Sequence, residues 1–342
     1  MKIDPRELLY FTLRHQHLLQ KAPKMTVVSD LCGLQAQFAN NPKYALRTRA
    51  SDFDEAAWGD GLVKIWSFRS TLHAVRIDEI GLFLSARGVP DVWGDSWTGL
   101  KKEIKPYWSE FIQERIVAGI CGREQLKEAC RRHGMQPDIL EKVFYGWGGL
   151  IKEMCDRGLI AYEIGTAKRF VVCGKLTFTD QDEARAALIG RYFQNFAPAT
   201  IEDCATFTGY KKKEVLRLIE SYSLPLKVIE CEGIEYYHSN DLSGDGPIPA
   251  CLFLAGFDQM IMGYKNRRRL LDDADKPNVV TNSGIVHPTV LLDGRLRARW
   301  KKDGPKLVIT PFAKLSKLNR NRMIAAGKKL FAGAIAAVIF ED

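Results

Sequence analysis

Much of what bounds this 342-residue chain is missing from it. Eight cysteines are present, yet no two stand in C-x-x-C spacing and no Cys/His cluster has zinc-ligand spacing, so no metal site and no cofactor are expected. The cysteines read as small buried apolar side chains in a reducing compartment. The opening residues, Met1-Lys2-Ile3-Asp4-Pro5-Arg6-Glu7, lack the apolar core of a secretory signal. The longest late apolar run, 330–340, falls well short of the roughly 20 residues that cross a bilayer. A cytoplasmic protein with no membrane partner is the expectation. Low-complexity tracts, long linkers and coiled-coil heptads are also absent, and a monomer is expected.

What is present is ordinary in amount and uneven in placement. Hydrophobic residues make up 46% and charged residues 27%, as in a folded globular chain of two to four domains. The net charge of +9 is concentrated: residues 251–342 hold 17 Lys and Arg against 8 Asp and Glu, while the first 250 hold 33 of each. A basic excess confined to one quarter of the chain is the electrostatic footprint of a polyanion-binding surface, or else a solvated basic face.

A pattern recurs three times: a leading amphipathic helix, a short helix, a turn, a longer helix, then two β-prone runs. In the first copy the helices fall at 5–20, 27–31 and 44–49, with another starting at 54–58, before strands at 62–66 and 71–75. The second places helices at 108–118, 123–132 and 137–156, with strands at 159–162 and 169–172. The third places them at 183–193, 201–206 and 212–222, where Thr200 and Asp203 supply a capping start, with strands at 226–229 and 235–238 around Glu232-Gly233. Helix, turn, helix and two-stranded wing is a winged helix-turn-helix. The expected class is therefore α+β, with three tandem winged units (1–104, 105–177, 178–247) followed by a small β-rich basic domain (248–342) after the Gly244–Pro249 punctuation. Its strands are expected at 251–255, 279–280, 289–292, 296–300, 306–310 and 336–340, with a helix at 317–331.

Leu292-Asp293-Gly294-Arg295 is a strong hairpin signal, because Asp-Gly suits the type I′ turn. On the return strand Arg295, Arg297 and Arg299 alternate with Leu296, Ala298 and Trp300, which places the arginines on one face at about 7 Å spacing. They can follow successive phosphates, or form a salt-bridged exposed face. Arg267-Arg268-Arg269 and Lys211-Lys212-Lys213 read as phosphate contacts or as solvated charge runs. Trp93, Trp97, Tyr107 and Trp108 read as packing residues.

Gly33-Leu34-Gln35-Ala36-Gln37 carries the chemistry of interest. Two glutamines two positions apart point to opposite sides of a helix, so they share a pocket only if the backbone there is extended or turning. At these residues the chain resembles the AlkZ-like winged-helix DNA glycosylases, bacterial enzymes that excise alkylated bases and unhook interstrand crosslinks. Gln35-Ala36-Gln37 is similar to the family's Gln-apolar-Gln motif, and Trp66 to His73 to its first-wing signature, with Ser70 where Gly is usual. Gly256-Phe257-Asp258 to Arg267 resembles its C-terminal Phe-Asp segment, with Asn266 where Asp is common. Gly284 to Arg295 resembles the DNA-probing hairpin, and Ala298-Arg299-Trp300 replaces a usual Gly-Thr-Trp.

The resemblance implies a double-stranded DNA substrate with alkylated purines, a nucleoid-associated location, and catalysis by Gln35 and Gln37. Breaking an N-glycosidic bond builds positive charge on the sugar. An N7- or N3-alkylated purine is already cationic and leaves neutral, so no general acid is needed, and a carboxamide can orient a water and steady the sugar. Candidate contacts to the substrate are Arg69, Thr71, His73, Asp258, Arg267, His287, Pro288, Thr289, Arg295, Arg297 and Arg299. Asp258 can alternatively pair with Arg267 or Lys265, His73 can be a packing residue, and His287 can brace a turn. A non-enzymatic DNA-binding regulator is the rival reading, although such proteins are usually symmetric dimers.

Overall fold

The computed structural model describes residues 1–90, 92–165 and 167–341. The chain condenses into two units, Met1–Trp58 with Ala186–Asp342, and Gly59–Arg185. These divisions do not follow the boundaries at 104, 177 and 247 drawn from the repeats: the helices of the first copy and the strands that follow them lie in different units.

The first three helices belong to the larger unit. Helix α1 (Pro5–His15) opens on a capping box, in which Asp4 accepts from the Glu7 amide and Glu7 accepts from the Asp4 amide, each at 2.8 Å. It ends before residue 20 because His17 adopts a left-handed φ of 59°. Helices α2 (Lys24–Asp30) and α3 (Asn40–Arg49) follow. Residues 54–58 form a turn instead of the expected helix, with the Asp54 carboxylate accepting from the Ala56 amide.

In the smaller unit β1 (Leu62–Trp66) and β2 (Leu72–Arg76) pair antiparallel, with Leu62 opposite Arg76. Five helices follow: α4 (Ile80–Arg87), α5 (Lys105–Val117), α6 (Arg123–Arg132), α7 (Pro137–Val143) and α8 (Leu150–Asp156). The last two replace the single helix expected at 137–156. The chain closes so tightly at Gly149 that a Cβ there would lie 2.6 Å from the Val143 carbonyl oxygen. Strands β3 (Ile160–Glu163) and β4 (Phe170–Val172) complete the unit. Because β3 pairs with the free edge of β1, through Val63↔Glu163 and Lys64↔Tyr162, the two expected wings fuse into one sheet ordered β2-β1-β3-β4. Trp66, Ile160 and Phe170 enter the helical core, with Trp93 and Trp108 against it. Trp97 and Tyr107, read as packing residues, are 75% and 56% exposed.

Helix α9 (Gln181–Asn195) leads back to the larger unit. Helices α10 (Ile201–Thr208) and α11 (Lys212–Ser221) and the hairpin of β5 (Lys227–Cys231) and β6 (Ile234–His238) follow in the order read from the sequence. Thr200 and Asp203 form the expected capping box. Glu232 and Gly233, both with positive φ, make the two-residue turn.

The C-terminal sheet has β7 (Cys251–Leu254), β8 (Thr289–Leu292), β9 (Arg295–Asp303) and β10 (Lys306–Pro311) in antiparallel succession, then β11 (Ala337–Phe340) parallel to β10. Short helices α12 (Gln259–Met262) and α13 (Lys276–Val279) lie between β7 and β8, and α14 (Lys317–Leu330) precedes β11. Residues 279–280 are thus a helix end rather than a strand, and Val280 makes only a single bridge to Val286. A register shift between Leu296 and Ala298 divides β9 between two cores. Leu296 joins Leu9, Leu254, Met260 and Leu291, while Ala298 and Trp300 join Phe253, Ile309, Met323 and Phe331.

Candidate active site and nucleic-acid interface

The Gln-Ala-Gln segment lies between α2 and α3 in the larger unit. Cys32 and Gly33, with φ of 53° and 79°, turn the chain out of α2, and Leu34 and Gln35 are extended. The chain then bends at Gln37 and Phe38 before α3 begins. This is the non-helical backbone that the i, i+2 spacing requires. The two side chains differ in exposure: Gln35 is 4% exposed and its Oε1 is buried with no hydrogen-bond partner among the described residues, whereas Gln37 is exposed.

Four successive residues of the Phe-Asp segment hold this turn in place. The missing side chain of Gly256 makes room for Asn41 at the start of α3, whose Oδ1 would lie 2.8 Å from a Cβ. Phe257, at φ 51°, stacks on half-exposed Phe38 with ring centroids 5.6 Å apart. Asp258 forms a fully buried bidentate ion pair with Arg49, the last residue of α3, at 2.6 and 2.9 Å. Gln259, 2% exposed, donates its Nε2 to the Gly33 carbonyl at 2.6 Å and, at 3.4 Å, to that of Leu31.

Asp258 therefore pairs with neither Arg267 nor Lys265. Its oxygens also accept from the amides of Met260 (2.9 Å) and Ala255 (3.2 Å), capping α12. Arg49 in turn donates its Nε to Gln16 O at 2.9 Å. Gln259, Arg49, Asn41 and Phe38 were not singled out from sequence. Their roles depend on partners as far as 228 positions away, as for Gln259 and Leu31.

Of the basic residues, Arg295 and Arg297 are both held by Asp272, with Asp275 a further 3.8 Å from Arg297. Arg299 has no carboxylate partner among the described residues. The salt-bridged alternative thus describes two of the three arginines. Asp293 and Gly294 have positive φ, as the type I′ turn demands, but Gly294 is buried. A Cβ there would lie 2.8 Å from Leu9 Cδ2. Asp293 stays exposed, and the preceding turn, 282–285, closed by the Thr281 amide on Ile285 O at 2.9 Å, is exposed throughout.

His287 follows that turn, with its amide on Val279 O at 3.0 Å. Burial, and then the charge of Arg299, lower its pKa and favour the neutral imidazole. Pro288 gives its carbonyl to the Trp300 amide at 3.0 Å, and Thr289 is fully buried with an unpartnered hydroxyl.

In the smaller unit Arg69 and Ser70 form the tip between β1 and β2 with φ of 52° and 53°, a conformation that glycine adopts more easily. Burial lowers the Arg69 pKa to about 10. Thr71 bonds the Phe68 carbonyl within the same tip. His73 is fully buried and donates from Nδ1 to Thr71 O at 3.2 Å, while its Nε2 has no partner among the described residues. Burial first, and the Arg69 charge second, lower its pKa to about 3.

The class of this fold, with its braced carboxamide turn, helix-helix-hairpin segments and C-terminal sheet, is settled by comparison with known proteins. The chain belongs to the AlkZ-like DNA glycosylase family: the family model matches residues 28–332. It is accordingly a glycosylase rather than a non-enzymatic regulator. A relative from Streptomyces sahachiroi, described as an interstrand DNA cross-link repair glycosylase, is 26% identical over 353 aligned positions, covering 93% of each chain. The solved structure of Streptomyces sahachiroi DNA glycosylase AlkZ has the same fold, with a TM-score of 0.78, 22% identity and full coverage of both chains. No helix among the described residues is long and apolar enough to cross a membrane.

Proposed function

We propose that the protein is a monofunctional glycosylase that hydrolyses the N-glycosidic bond of cationic N7- or N3-alkylated purines in duplex DNA, interstrand crosslinks included, and that it acts as a monomer. The observation that carries this reading is the charge state of the braced turn. The one carboxylate in its supporting segment, Asp258, is consumed by Arg49, which leaves two neutral amides at the turn. Neutral amides suit a leaving group that departs uncharged and needs no proton. In this reading the Gln35 Oε1, which has no hydrogen-bond partner among the described residues, accepts from the attacking water, and exposed Gln37 holds the sugar or its phosphate. The catalytic motif contains no lysine for Schiff-base chemistry, so the product is an abasic site in an uncut strand.

A purine joined to both strands cannot be swung freely out of the duplex, so a crosslink must be attacked in place. This contrasts with enzymes that extrude single bases. The test is incubation with methylated duplex and with nitrogen-mustard-crosslinked duplex. Liberated alkylguanine, abasic sites and loss of crosslinked species are expected without strand cleavage. Intact DNA in both arms would overturn the proposal.

A further inference from the structure

A cleft of about 660 Å³ in the larger unit lies where the start of α10, the beginning of β6 and residues 265–276 meet. Five cationic residues line it, Lys265, Arg267, Arg268, Arg269 and Lys276, against three carboxylates. The carboxylates are already engaged. Glu202 takes Lys265 at 2.6 Å, and Asp203 takes Arg269 at 3.7 Å. Asp273 is shared between Arg268 at 3.4 Å and Lys276 at 2.7 Å.

Arg267 is the exception. Its Nε donates to Ile261 O at 3.1 Å, and among the described residues its guanidinium meets no carboxylate. It is half-buried, and that burial lowers its pKa. A guanidinium partly removed from water without a counter-charge, in a cleft with two cations in excess, favours an oxyanion that presents two oxygens to a pair of its N–H groups. The cleft exceeds the size of a bare oxyanion, and Tyr236 and Ile234 give it an apolar wall.

We propose that this cleft is a phosphoryl-binding subsite centred on Arg267, taking a phosphate carried on a larger body. Two sources share that chemistry: a backbone phosphodiester of bound DNA, which rests on the function proposed above, and the phosphate of a free nucleotide. Two variants test the subsite. Arg267→Gln removes the charge. Asn266→Asp adds a negative charge at an exposed position whose side-chain oxygen accepts from the Arg268 amide, a bond that a carboxylate retains.

Binding of a fluorescent duplex is measured by anisotropy from 50 to 200 mM salt, and thermal stability with and without adenosine monophosphate. If DNA supplies the phosphate, Arg267→Gln lowers the log–log salt slope by about 1 and the affinity about eightfold at 0.1 M salt, and Asn266→Asp weakens binding in the same direction. If a free nucleotide supplies it, adenosine monophosphate raises the melting temperature of wild type but of neither variant, while duplex binding is unchanged. Wild-type behaviour of the variants in both assays overturns the subsite. Should Arg267→Gln not fold, Asn266→Asp alone decides. Arg267-dependent DNA binding without base release would sink the glycosylase substrate reading and leave this one standing.

Discussion

Replacing Asp258 by asparagine separates a structural role from a chemical one. The carboxylate and Arg49 are both fully buried, joined by two hydrogen bonds and flanked by Gln16 O and the amides of Met260 and Ala255. Asparagine keeps the size and one acceptor but leaves the Arg49 guanidinium charged and uncompensated in a dry interior. Breaking a buried pair from one side costs about 3–5 kcal/mol, a large fraction of a domain's stability. The Asp258→Asn protein should therefore unfold at markedly lower urea, and base release should fall along with the folded population and the precision of the turn. Joint replacement, Arg49→Met with Asp258→Leu, should recover only part of the loss: no orphan charge remains, but the Met260 and Ala255 amides and the Gln16 carbonyl lose their partners. The reasoning is refuted if Asp258→Asn has the wild-type urea midpoint while base release is abolished, since Asp258 would then act on the substrate itself.

Two further outcomes follow from the same geometry. Gln259→Leu strands the Gly33 carbonyl in the interior; we expect a loss of about 1–3 kcal/mol in denaturation and a single-turnover rate reduced even under conditions where the protein is fully folded. His73, with a folded-state pKa near 3 against an ordinary 6.5, takes up its proton on unfolding, so the unfolded state binds more protons between those values and stability falls as pH drops through that window. Its contribution is complete above pH 6.5. His73→Phe should flatten the slope, by about 1.4 kcal/mol per pH unit at most, in unfolding curves recorded from pH 4 to 7.

Local signals in the sequence were legible wherever neighbours decide the structure. The Thr200–Asp203 capping box and the left-handed Glu232-Gly233 and Asp293-Gly294 turns all rest on interactions within a few residues. What distant partners decide was not legible. The arginine stripe of β9 satisfied strand periodicity, yet Asp272, more than twenty positions earlier, neutralises two of its members. The Asp-Gly hairpin has the expected turn, but packing against Leu9 buries Gly294 while Asp293 stays exposed. The first two wings read as separate modules because edge pairing of Lys64 with Tyr162 leaves no local mark. At the candidate site the two glutamines were visible, whereas their different burial and the four-residue brace beneath them depend on chain segments more than 200 residues apart.

The most direct test is single-turnover release of N7-methylguanine from a duplex by wild type, Gln35→Ala and Gln37→Ala, with melting temperatures recorded for each. Loss of water and sugar positioning should slow each variant at least about a hundredfold, and exposed Gln37 should be replaceable with no change in stability. Wild-type rates in both folded variants would contradict catalysis by this amide pair.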